Sequence, residues 1–235
     1  MSFSKYQNTI HFQKSNKWRK LYLNILNGYK INKVLEVGAG TPDFLKNVNA
    51  KYKLALDGGV KFKEEFEKNN IDFYEVDLDY GNLPLLKDLD LIVASDVLEH
   101  LIYPLRTLNF VYNSLNANGI FISHVPNEFY YTYMIKILLG LKTSNIFHSE
   151  IEEYKNPHIR RFTKIGYLDL LRTKFKYNLY ISDLYYNLLA KILKSLKINP
   201  PYMIEPGPTF ISTNNKNAYE FFLNKKKKLI DIKNI

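Results

Sequence analysis

The feature that most limits how this chain can fold is its alternation of short apolar runs with helical segments. Lys33 to Val37 (KVLEV), Tyr52 to Leu56, Ile71 to Val76, Asp90 to Ala94 (DLIVA) and Ile120 to Val125 read as strands, and Tyr177 to Asp183 and Thr209 to Thr213 as two more. Helical spacing occupies Ser15 to Tyr29, a segment opening at Thr41-Pro42-Asp43, Val60 to Lys68, Pro104 to Asn116, Phe129 to Leu141 and Thr163 to Thr173. Thr41 before proline and an acid, Thr163 as a cap, and Asn118-Gly119 as a stop mark the helix ends. Such an alternation folds into a mostly parallel sheet with helices on both faces. Ligands of these sheets lie beyond the carboxyl ends of the strands, so the chemistry is sought there.

Those ends carry a pattern. The first strand runs into Glu36-Val37-Gly38-Ala39-Gly40-Thr41, where glycines let the backbone approach a ligand and turn sharply into a helix. A dinucleotide-binding GxGxxG would need a third glycine at position 43; Asp43 stands there and would repel a pyrophosphate. Strand two ends at Asp57, about 20 residues further on, the usual distance for an acid that accepts ribose hydroxyls. Strand three leads to Asp77 with Leu78 beside it, and strand four to Ser95-Asp96. Each acid alone is an ordinary loop residue. Together they form a ladder across successive strand ends.

The segments VLEVGAGTPDFL, ALDGG, EVDLD, DLIVASDVLEHL, FISHVPN and HIRRFT, from Lys33 to Phe175, resemble the class I S-adenosylmethionine-dependent methyltransferases. The resemblance is to the small-molecule branch that contains ubiquinone-biosynthesis O-methyltransferases. It implies a Rossmann-like α/β fold: a mostly parallel seven-stranded sheet with helices on both faces, an antiparallel last strand and a small helical insertion before it. It also implies S-adenosylmethionine as cofactor. Gly38 and Gly40 would face its methionine part, Glu36 its ammonium, Asp57 the ribose, Asp77 with Leu78 the adenine, and Ser95 the same mouth from strand four. Pro42 replaces a frequent third glycine, and its fixed φ suits the helix start. One domain over 1–235 is expected: an N-terminal helical segment (1–32), a cofactor-binding core (33–185), a helical insertion or lid (186–208), then the last strand and a basic helix (209–235).

Methyl transfer from a sulfonium asks the protein for position and for a deprotonated acceptor. Asp96, Glu99 and His100 stand at i, i+3 and i+4 and would share one face if a helical turn starts there. This set resembles the ExxEH metal motif of small-RNA 2′-O-methyltransferases, in which a later histidine completes the site; His158 in HIRRFT holds that relative position. Asp96 stands where those enzymes have Glu. Mg²⁺ or Mn²⁺ on Asp96, Glu99, His100 and His158 is therefore one reading. The shorter arm of Asp96 favours the other, in which a histidine removes the acceptor proton without metal. His100 is expected near the acceptor, while His124 and His158 stay open between active-site and packed roles. Arg160 and Arg161 could hold an anionic acceptor, and Tyr130, within an aromatic group from Phe129 to Tyr133, could line its pocket. His11 and His148 have no supporting pattern.

The expected reaction is O-methylation of a small, anionic metabolite, nucleotide-activated or phosphorylated, such as a sugar precursor of a surface glycan. The formal charge of +10 bears on this acceptor, but it also fits a Lys- and Asn-rich composition with no anionic ligand at all. RNA 2′-O-methylation is the alternative that would require a continuous lysine stripe leading to the cofactor, and nucleic acid is not the expected partner. A non-catalytic S-adenosylmethionine-binding regulatory module is a second alternative, disfavoured by retention of the polar DVLEH segment. The absence of cysteine removes thiolate zinc sites, thiol nucleophiles and disulfides. The N-terminus has no signal-like apolar core, and the longest apolar stretch, Phe129 to Leu141, is broken by Lys136, so a cytoplasmic protein is expected. Leu188, Leu189, Ile192, Leu193 and Leu196 share one helical face with Lys191, Lys194 and Lys197 towards the other. Such a stripe usually packs on a core; a lid, a homodimer surface and a membrane-surface anchor are its other uses.

Overall fold

The computed structural model describes residues 16–141 and 158–233. The loop expected to run to Pro157, and both His11 and His148, lie outside these residues. Seven strands form one sheet: β1 (Lys33–Val37), β2 (Tyr52–Asp57), β3 (Asp72–Glu75), β4 (Leu89–Ser95), β5 (Leu115–His124), β6 (Tyr177–Tyr180) and β7 (Thr209–Thr213). Their spatial order is β3-β2-β1-β4-β5-β7-β6. β1 pairs in parallel with β2 and β4, as β2 does with β3 and β4 with β5. Only β7 runs the other way, against both β5 and β6. The sheet is therefore the expected seven-stranded, mostly parallel one, with the expected antiparallel last strand. Strand order reverses at the β1/β4 boundary, and the crevice that such a reversal opens is where open α/β sheets bind ligands.

Period-two alternation in the strands supplies the two layers. Val34, Ala55, Leu91, Val93, Ile120, Ile122 and Ile211 face α1 (Asn16–Leu26), α2 (Asp43–Asn47), α3 (Lys63–Lys68) and α8 (Lys216–Lys233), which bring Tyr22, Ile25, Phe44, Phe66 and Phe222. Leu35, Val37, Leu56, Ile92, Ala94, Phe121 and Phe210 face α4 (Pro104–Ser114) and α6 (Lys164–Arg172), which bring Leu108, Val111, Tyr167 and Leu171. Thr163 caps α6 as its sequence predicts, accepting the Gly166 N–H at 3.1 Å.

Several boundaries move for identifiable reasons. α2 begins at Asp43 with Pro42 at its cap, one residue later than a Thr41 cap implies, and the Thr41 hydroxyl donates to Asp43 and accepts from Arg19 instead of capping the helix. Asn118-Gly119 does not stop α4: the helix ends at Ser114, and these residues belong to β5, which pairs across an irregularity between Leu89 and Leu91. The aromatic helix after β5 is shorter than its apolar run, α5 (Tyr131–Leu138). In the insertion, α7 (Leu188–Ser195) starts at Asn187, whose side chain accepts the Ala190 N–H. Core packing was the expected use of its leucine stripe, and the structure corrects it. Ala190 is buried and Leu193 half-buried in a small cluster with Tyr186 and Ile204, whereas Leu188, Leu189, Ile192 and Leu196 are exposed.

Candidate active site

The strand-end acids and the glycine loop lie along the carboxyl edge of the sheet. Gly38 and Gly40 adopt left-handed φ of +64° and +58°, the conformation that glycine takes without a Cβ penalty. A Cβ on Gly38 would also collide with Val97. The loop curls over the end of β2: Gly38 N–H donates to the Leu56 carbonyl at 2.7 Å and Gly40 N–H to Asp57 Oδ2 at 2.9 Å. Asp57 Oδ1 accepts the Gly59 N–H at 2.9 Å, so one carboxylate ties together the first two strand ends. Asp77, two residues past β3, accepts the N–H groups of Asp79 and Tyr80 through one oxygen. Leu78 is buried in the core, which leaves little of it to face an adenine. Ser95 ends β4 with its hydroxyl 2.9 Å from that of buried Tyr22.

Glu36 sits inside this edge, 4% exposed, and its Oε2 has no hydrogen-bond partner. Burial pushes its carboxyl up to about 8, with Arg19 pulling the other way and Asp57 reinforcing the rise. An orphaned buried carboxylate oxygen beside a glycine loop fits an ammonium-bearing ligand, because such a group costs free energy until a cation or donor meets it. Arg19 lies 3.7 Å from Glu36 Oε1 and donates to Thr41 Oγ1 at 2.9 Å and to the Ala39 carbonyl. Sequence reading missed it. A polar residue on an amphipathic helix carries no signal of what it will reach.

Beyond β4 and β5 lies a second group. Asp96 has a left-handed φ of +55°, and its N–H donates to the His124 carbonyl at 3.1 Å. The one-turn 3-10 helix starts only at Leu98, so Asp96 does not share a face with Glu99 and His100 as expected. Its carboxylate is turned to solvent, with one oxygen 3.5 Å from His124 Nε2. His124 Nδ1 lies 2.9 Å from Thr209 Oγ1, and burial lowers this imidazole's pKa, favouring the neutral ring.

Glu99, His100 and His158 do converge, with one potential ligand atom from each within 4.8 Å of the others. The two imidazoles meet edge to face at 4.6 Å. Glu99 is buried, neither of its oxygens has a hydrogen-bond partner, and burial, reinforced by Asp96 and Glu128, raises its pKa well above the usual carboxylate range. His158 Nδ1 bonds to Oε1 of buried Glu128, whose Oε2 lies 3.5 Å from Arg161 Nε. Glu128 was not anticipated; its only signal is its place just after the Pro126-Asn127 end of β5. Arg160 does not enter the pocket. Its guanidinium donates to the Leu101 and Ile102 carbonyls and its N–H to the Glu99 carbonyl, fastening the HIRRFT segment to the LEH turn.

A cavity of about 350 Å³ opens beside this group, lined by Trp18, Tyr130, Tyr133 and Tyr185 together with His124, Glu128, His158 and Glu205. Trp18 packs 4.4 Å from the His124 ring. Helix α1 thus sends Arg19 to the glycine loop and Trp18 to the cavity. A glycine-bearing loop with acids along successive strand ends, beside an acid–imidazole pocket, is the arrangement expected of a class I S-adenosylmethionine-dependent methyltransferase.

Comparison with known proteins agrees. A methyltransferase-domain family matches residues 10–191, and the chain belongs to it. Among solved structures, an S-adenosylmethionine-dependent methyltransferase from Thermotoga maritima is 15% identical with a TM-score of 0.57, covering 91% of this chain and 93% of its own. One from Clostridium acetobutylicum is 14% identical with a TM-score of 0.57 over 85% and 92%. Another from Mesorhizobium loti is 15% identical with a TM-score of 0.54 over 83% and 96%. No curated protein matches. The enzyme is an S-adenosylmethionine-dependent methyltransferase, and no helix among the described residues is long and apolar enough to cross a membrane.

Proposed function

We propose that this enzyme methylates a hydroxyl oxygen on a small ring-shaped acceptor, of sugar type, bound in the aromatic cavity. The observation that carries the reading is the Glu128–His158 pair at the cavity wall. When bound, the cofactor supplies an electrophilic sulfonium methyl. A carboxylate oxygen accepts at His158 Nδ1, so Nδ1 carries the proton and Nε2 is left as a base for the acceptor hydroxyl. Glu128 fixes the tautomer and supports the imidazolium that forms. Trp18, Tyr130, Tyr133 and Tyr185 offer ring faces and hydroxyls to orient a flat acceptor. The cavity lining includes no lysine or arginine among the described residues, so any phosphate on the acceptor would sit outside it, towards Arg161.

A second reading is favoured by one observation, the two unpartnered oxygens of Glu99. Glu99, His100 and His158 would hold a Mg²⁺ or Mn²⁺ ion, which would polarise the acceptor oxygen as a Lewis acid. Glu128 would then orient a ligating histidine. Turnover with a panel of nucleotide-activated sugars, followed as formation of S-adenosylhomocysteine, separates the two. The base reading expects activity to survive chelation. It also expects His158→Ala to cost about 10²–10⁴-fold in kcat with cofactor affinity unchanged. Activity lost on chelation and restored only by a divalent cation establishes the second reading. Transfer confined to amine analogues of the sugars overturns both.

A further inference from the structure

Helices α5 and α7 carry apolar side chains that nothing in the described chain covers. On α7 and its C-cap, Leu188, Ile192 and Leu196 recur four residues apart and are 75%, 46% and 63% exposed. On α5 no residue is buried, and Ile135, Leu138 and Leu139 are exposed. The helices start side by side: the Asn187 amide, at the cap of α7, donates to the hydroxyl of Tyr130, at the cap of α5, at 3.1 Å. Tyr130 also lines the acceptor cavity, so both apolar faces begin at its rim.

Scattered exposed leucines are ordinary, but a contiguous set is a contact surface. Its charge says what the contact is. Lys136, Lys191, Lys194 and Lys197 are exposed on or beside these helices, and neither helix contains an acid. A second copy docked on these leucines would offer the flanking lysines no acid to meet. A bilayer surface rich in anionic headgroups meets both features, taking the leucines into the acyl boundary and the ammonium groups at headgroup level. We propose that α5 and α7 form a docking face for an anionic membrane surface. Neither helix, at 8 residues, inserts further than that. The rim residue Tyr130 then lies at the lipid surface, where an acceptor borne on a lipid would be presented.

Co-sedimentation of the full chain with phosphatidylcholine vesicles, with and without phosphatidylglycerol, tests this. Binding is expected to the anionic vesicles, weakened by salt, and not to phosphatidylcholine alone. Lys191→Gln and Lys194→Gln should each weaken it about five-fold, and Leu188→Ser with Ile192→Ser about a hundred-fold or more, the worth of two buried aliphatic side chains. Lys227→Gln with Lys228→Gln, exposed on α8, should change it little. Retained binding of S-adenosylhomocysteine shows that each variant is folded. The proposal fails if folded wild-type protein ignores anionic vesicles, or if the α8 variant loses as much binding as the α7 variants. It also fails if light scattering shows a dimer that Leu188→Ser and Ile192→Ser dissociate, which would assign the face to self-association.

Discussion

Glu36 offers a quantitative handle on the cofactor site. With its carboxyl pushed up to about 8 by burial, ionisation is unfavourable until a cation arrives. About one molecule in a hundred would carry the ionised form at pH 6, and about one in four at pH 7.5. If the ammonium of the methionine end binds the carboxylate form, apparent affinity should rise about 25-fold over that interval, close to 2 kcal/mol. Stopping at pH 7.5 keeps the ligand's own amine largely protonated. Calorimetry with S-adenosylhomocysteine should show this rise and, near pH 6.5, the release of almost one proton per site. Buffers of different ionisation enthalpy give that proton count directly. Glu36→Gln should bind more weakly at pH 7.5, with an affinity that no longer depends on pH. Wild-type affinity that stays flat with no proton release would refute the assignment of Glu36 to the ammonium. The same shift has a sign in the free protein. A carboxyl raised in the folded state favours folding below its unfolded pKa, and that contribution is lost as pH climbs through about 8. Thermal stability without ligand should therefore fall between pH 6 and pH 8, and fall less in Glu36→Gln.

Two further outcomes follow from the glycine loop. Asp57→Ala removes the acceptor of both the Gly40 and Gly59 N–H groups, and should weaken cofactor affinity by about 1–3 kcal/mol in calorimetry while circular dichroism shows an intact fold. Gly38→Ala should cost about 1–2 kcal/mol in denaturant unfolding from its left-handed φ alone, with the collision against Val97 added.

The sheet was legible because its signals are local and repeated. Each strand is a short apolar run, and the acids at their ends recur in register with them, so Glu36 and Asp57 could be placed before any contact was known. Boundaries were less legible where a side chain had two uses. Thr41 reads as a cap, yet its hydroxyl is drawn away by Arg19 and Asp43. Asn118-Gly119 reads as a helix stop, yet β5 extends back to Leu115 by pairing with Leu89. Asp96 is the clearest case. Its spacing to Glu99 and His100 matches a helical face, but spacing aligns side chains only where the backbone is helical, and Asp96 has the opposite hand.

What the sequence could not show is how elements far apart in the chain complete the site. Glu128 matters because its carboxylate meets His158, thirty positions away. Arg19 and Trp18 matter because α1 lies across the β1 and β5 ends, bringing Arg19 to the glycine loop and its neighbour Trp18 to the aromatic cavity. Adjacent residues on a helix diverge by about 100°, so a single element can serve two sites only when it crosses the crevice between them. That crossing also couples the two sites. Displacing α1 would remove the guanidinium beside Glu36 and the Trp18 wall beside His124 together. The glycine loop and the aromatic cavity therefore share one structural element.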